Sequence, residues 1–168
     1  MPVDRLLAQH CRILTNVESV ERFSEGPPPP QNDNMADKRW AFTRDLLVHF
    51  ARMESTIYGP MMSDRREHAQ KAAARGSVET AALMAEYREH VARWQGPHPA
   101  DRWETYRRGV TRLMQRIRAR LEAEAMEIVP LLPVQPDGTR RAGPTRESYV
   151  AEAWEIRGVL FEGTKLPL

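Results

Sequence analysis

The run Gly26-Pro27-Pro28-Pro29-Pro30 is the feature that most restricts the fold. No helix passes through successive prolines, because each lacks an N–H and its ring strikes the preceding turn. Further breaks fall at Gly59-Pro60 and Gly96-Pro97-His98-Pro99, with a weaker one at Gly76-Ser77. Beyond Pro130 the chain is rich in proline and glycine as far as Pro144. Between the breaks, apolar residues recur at helical spacing. The first segment carries Leu6, Ile13, Leu14 and Val17, and the second Trp40, Leu46, Leu47, Phe50, Met53 and Ile57. The third, from about Asp64 to Gln95, carries Leu83, Met84, Tyr87, Val91 and Trp94. The fourth carries Tyr106, Val110, Leu113, Ile117, Leu121 and Ile128. No stretch before residue 145 alternates like a strand.

Four amphipathic helices with mostly short connections predict an all-α, antiparallel up-down-up-down four-helix bundle over residues 1–132. A C-terminal extension, 133–168, is expected to pack on the bundle. It contains a short helix over Glu147–Ile156, with Tyr149 and Trp154 as anchors. A length of 168 residues suits one substantial core. With 25 basic against 23 acidic residues the net charge is +2, too small to argue for nucleic acid as a partner. A single cysteine, Cys11, excludes an internal disulfide and a cysteine-based metal site. No apolar run approaches the length of a membrane span. The start, Met1-Pro2-Val3-Asp4-Arg5, has no signal-peptide character. The expectation is a cytoplasmic protein that engages no membrane.

A bundle core should be apolar, so polar residues on the inward stripes are the informative ones. His10 lies among Leu6, Ile13 and Leu14, and His49 lies between Leu46 and Met53. Glu124 interrupts the stripe Val110, Leu113, Ile117, Leu121, Ile128, with Arg120 one turn before it. A carboxylate in such surroundings needs a cation or several donors. Helical rise puts His10 and His49 at the same level, each about fifteen residues from the break that joins their helices. Glu124 lies roughly 35 Å from the turn at 96–100, and the matching level on a continuous third helix is near residue 71. His68 is about one turn from that level, whereas His90 is only some 9 Å from the same turn. If Gly76-Ser77 interrupts the helix, His90 takes the place of His68. His10, His49, His68 and Glu124 then converge, one from each helix, as a candidate metal site. Imidazole and carboxylate suit iron, zinc or manganese. His98, in a proline-rich turn, belongs to the surface, and the methionines are core filler.

At this point the chain resembles the hemerythrin-like, or HHE cation-binding, family. The resemblance rests on Leu6-Leu7-Ala8-Gln9-His10, on His49-Phe50-Ala51-Arg52-Met53 running to Tyr58-Gly59-Pro60, and on Arg120-Leu121-Glu122-Ala123-Glu124 running to Ile128-Val129-Pro130. It covers about residues 4 to 132. The family has two His-x-x-x-Glu motifs, each closed by an apolar residue and proline, with further histidines from the first and third helices. It holds two carboxylate-bridged irons for oxygen binding, sensing or redox chemistry. Two positions depart from the pattern: Met53 stands where a bridging Glu belongs, and Arg120 where a His belongs. Glu54 is displaced by one residue, about 100° around the helix. Met for Glu and Arg for neutral His together add two positive charges to the core, the charge of one divalent ion. Arg120 lies at i−4 to Glu124 and can pair with it.

The resemblance therefore implies at most one metal ion, mononuclear iron by preference, on His10, His49, His68 and Glu124. Its small-molecule partner would be oxygen, nitric oxide or peroxide, or the metal itself would be the signal. The alternative is a metal-free bundle, a scaffold or signalling partner held by an Arg120–Glu124 pair. Its proline-rich loop and aromatic tail would serve a protein partner or a homodimer. No nucleophile triad, phosphate loop or nucleotide motif is present, and turnover is not expected.

Overall fold

A computed structural model of the chain describes residues 3–28, 35–94 and 102–132. Among these residues there is no strand, and four long helices follow the apolar segments. They are α1 (Val3–Glu25), α2 (Met35–Met53), α3 (Glu67–Arg93) and α4 (Trp103–Ala123). The extension 133–168, with the helix expected over Glu147–Ile156, and the turn holding His98 lie outside the described residues.

Two helices do not stop at their α-helical ends. After α2 the chain widens into a π-turn, Glu54–Tyr58, and then a single α-turn, Gly59–Met61. After α4 it widens into a second π-turn, Glu124–Ile128, followed by a 3₁₀ turn, Val129–Leu131. Each π-turn ends two residues before a proline, Pro60 or Pro130. In an α-helix the proline ring would strike the carbonyl four residues back. The wider turn moves that carbonyl and lets the helix continue past the proline. Such π-turns recur at functional sites.

The break expected at Gly76-Ser77 is absent, and α3 runs unbroken through both residues. Gly76 is buried and lies against the ring of Tyr58. A Cβ there would come within 2.8 Å of Tyr58 Cε1. The glycine makes room for a neighbour and does not end a helix.

The buried apolar side chains form two clusters. One holds Ile13, Leu46, Leu47, Phe50, Leu83, Ile117 and Leu121 among others. The second holds Leu6, Met53, Ile57, Tyr58, Met61, Ala69, Ala73 and Ile128. Burying each large side chain is worth about 1.5–3 kcal/mol. On α1, α3 and α4 the change from one cluster to the other falls at a buried polar residue, and on α2 it falls between Phe50 and Met53, just past His49. The sequences of change are Leu6–His10–Ile13, His49–Phe50–Met53, Ala73–Thr80–Leu83 and Leu121–Glu124–Ile128. A polar layer thus crosses the apolar core at one depth.

Candidate metal centre

Glu124, the first residue of the second π-turn, is the centre of this layer and is fully buried. Its Oε2 lies 3.1 Å from His10 Nε2 and 2.9 Å from His49 Nε2. The two imidazoles meet edge to face, with centroids 5.0 Å apart and an interplanar angle of 78°. On the other oxygen, Tyr58 donates its hydroxyl to Oε1 at 2.9 Å. Arg120 Nε lies 3.4 Å from the same Oε1, as an ion pair. The carboxylate therefore has an imidazole side and a phenol–guanidinium side.

Arg120 is itself buried, yet it does not belong to Glu124 alone. Its Nη1 pairs with Glu79 Oε2, on a half-exposed side chain of α3. One guanidinium stands between two carboxylates. With both imidazoles neutral, Arg120, Glu79 and Glu124 carry a net formal charge of −1. A proton on an imidazole, or a metal ion, would answer that charge.

Burial by itself would push the Glu124 carboxyl up. The hydrogen bonds from His10 and His49, with the electrostatic pull of His49 and Arg120, outweigh it and bring the group down to about 2. The carboxylate is ionised at neutral pH. Tyr58 goes the other way: burial first, and then the Glu124 charge, raise its hydroxyl above the usual value and keep it a donor.

Three of the four residues read from the sequence meet here. One ligand atom from each of His10, His49 and Glu124 lies within 4.8 Å of the others. His68 does not join them. It is exposed in the first turn of α3, next to the buried Ala69 and about 100° away around the axis. Its depth is wrong as well. The ion pairs Arg75–Glu127, Glu79–Arg120 and Glu86–Arg116 set the register of α3 on α4. They place Gly76 to Thr80 opposite Glu124, and His68 lies about 12 Å further along the helix than Gly76. His90 is absent from the site too; its ring packs on Trp94 and Tyr106. Glu54 points outward and accepts a hydrogen bond from Ser77, and Met53 is fully buried among apolar neighbours.

Two participants escaped sequence reasoning. Tyr58 fills the third-helix side of the site from the π-turn after α2, and its only signal was an aromatic residue before Gly59-Pro60. Glu79 is the second partner of Arg120. It is one of many acidic residues on α3, and only the helix register distinguishes it.

The donor set fits a metal ion. Two imidazoles and a carboxylate are suitable ligands, and their ligand atoms lie within 4.8 Å of one another. The set fits one ion better than two, since Met53 offers no carboxylate and Arg120 is a cation. No protein-family model, curated protein or solved structure matches the chain. Among the described residues no helix is long and apolar enough to cross a membrane.

Proposed function

We propose that the chain is a hemerythrin-like up-down-up-down bundle that holds a single non-haem metal ion, iron by preference, on His10, His49 and Glu124. Its role is to bind or sense oxygen, nitric oxide, peroxide or the metal, without turnover. The observation that carries this reading is the division of Glu124: among the described residues Oε2 faces only the two imidazoles, while Tyr58 and Arg120 occupy Oε1. The phenol and the guanidinium do not compete with the imidazoles for one oxygen. Alternation of the two apolar clusters from helix to helix supports the up-down topology.

Two imidazoles and one carboxylate are the donors of mononuclear non-haem iron sites. A bound iron would supply an open coordination position for a small ligand. The protein's part is to keep Glu124 ionised, to fix its orientation through Tyr58 and Arg120, and to hold it fully buried. Metal analysis of the purified full chain after anaerobic ferrous loading tests the reading. About one equivalent per chain is expected, lost in His49→Ala, and less than ~0.2 equivalents rejects it. Competition with zinc and manganese tests the choice of iron.

A second reading, the metal-free scaffold, is favoured by one observation. His49 Nδ1 is buried with no hydrogen-bond partner among the described residues. A histidine that ligates through Nε2 carries its proton on Nδ1, and a buried donor without an acceptor is costly. With Nε2–H donated to Glu124, Nδ1 is only an idle acceptor. On this reading the same loading gives no metal, and a protein partner or homodimer becomes the function. Size measurement in solution detects the homodimer.

A further inference from the structure

At the far end of the core from Glu124, a cleft of about 260 Å³ opens among α1, α2 and the first turn of α4. Its walls include Val20, Phe23, Phe42 and Tyr106, and two cations, Lys38 and Arg39, line it with them. No acidic side chain does so among the described residues. A smaller void of about 40 Å³ shares Val20, Phe42, Tyr106 and Arg39 with it and reaches inward to His90 and Trp94. Arg39 is the informative group. Its Nη1 donates to the Trp94 carbonyl at 3.3 Å. Its Nε is buried and has no hydrogen-bond partner among the described residues. The Lys38 ammonium lies 5.5 Å over the Phe23 ring, where one wall of the cleft meets its rim.

We propose that this cleft binds a small organic anion, a carboxylate carried on an aromatic or compact apolar body. An apolar concavity with a few convergent polar groups is the usual form of a small-molecule site, and this one, at about 260 Å³, lies just below the usual ~300–1,000 Å³ range and suits a small ligand. A buried guanidinium N–H without an acceptor is costly, and a carboxylate answers it with a charge-assisted bond. The ring-lined walls take the apolar body. The site is separate from the metal centre: along α2, Arg39 lies about 15 Å from His49, and along α4, Tyr106 lies about 27 Å from Glu124.

The test is calorimetric titration of the full chain with 1-naphthoate and with its neutral counterpart 1-naphthylmethanol. The acid is expected to bind saturably and at least about tenfold more tightly than the alcohol. Arg39→Gln is expected to lower naphthoate affinity by about tenfold or more, and Ala41→Trp, which fills the cleft from its edge, to abolish it. Both variants are first checked for wild-type helix content. If Arg39→Gln fails to fold, Ala41→Trp and the acid–alcohol comparison still decide. Absence of saturable naphthoate binding, equal affinity for the alcohol, or unchanged affinity in a folded Arg39→Gln each overturns the proposal.

Discussion

Gly76 and Tyr58 are in contact across α3 and the π-turn that follows α2, with no room for even a methyl group between them. Tyr58 in turn donates to Glu124, so the glycine governs how deeply the phenol reaches into the polar layer. In an exposed helix, Gly→Ala is worth about 1 kcal/mol of stabilisation. Here the sign reverses. Gly76→Ala is expected to lower stability by about 1–3 kcal/mol, the cost of overpacking a filled site. Ser77→Ala should change it by less than about 0.5 kcal/mol. Chemical denaturation of the two variants checks this, and equal midpoints would contradict the contact.

Tyr58→Phe removes one donor from Glu124 Oε1 and leaves the ring in place. A loss of about 1–2 kcal/mol is expected, the usual cost of a buried acceptor deprived of its donor. Metal uptake should persist, because the imidazole side of the carboxylate is unaffected. A variant that folds normally yet takes up no metal would make Tyr58 a ligand rather than a support.

Glu124→Gln should be the most damaging single change in the layer. It removes the candidate metal ligand and strips Arg120 of one of its two carboxylates. A stability loss of about 2–4 kcal/mol is expected, moderated because Glu79 keeps its pairing with Arg120. Thermal melts with and without added ferrous ion separate the two effects. The wild type should be stabilised by the ion and the variant should not.

Met53→Glu with Arg120→His restores both positions at which the chain departs from the hemerythrin-like pattern. The double variant is expected to bind more iron per chain than the wild type. Met53→Glu alone should destabilise the protein, because it buries a carboxylate with no partner to answer it. Elemental analysis after ferrous loading is the measurement, and an unchanged metal content would count against descent from a two-metal site.

Acid should weaken the fold in two stages. His90 is driven down to about 4 by burial first, and then by the positive charges of Arg39, Arg93 and Arg112. The unfolded chain binds the proton more readily, at a pKa of about 6.5. The contribution of neutral His90 is thus complete above pH ~6.5 and is lost as pH falls towards 4. Its size is about 1–3 kcal/mol, discounted because the ring is partly exposed. Glu124, held near 2 against 4.5, contributes fully above 4.5, and its share is lost only as pH falls towards 2. Denaturation midpoints between pH 7 and 4 should fall in the wild type and fall less in His90→Phe.

Much of the fold was legible in the order of residues. The helical period gave four segments, and the proline runs gave their limits to within a few residues. The shared depth of His10 and His49 followed from rise per residue alone, as did the pairing of Arg120 with Glu124 one turn later. The reading of Gly76-Ser77 was misleading, because a glycine that breaks a helix and one that admits a neighbour's ring look alike in one dimension. His68 was misplaced for two reasons: the distance estimate missed the true register of α3 on α4, and it neglected rotation about the helix, at about 100° per residue.

Sequence by itself determined which side chains could take part: the imidazoles, the buried acid, and the arginine one turn before it. Tertiary structure decided which of them meet. The two π-turns set the positions of Tyr58 and Glu124, and the packing of α3 on α4 set Glu79 against Arg120 while leaving His68 in solvent. Local periodicity is written into each segment, but the rotation and register of one helix on another come from packing the whole core, which no single segment encodes.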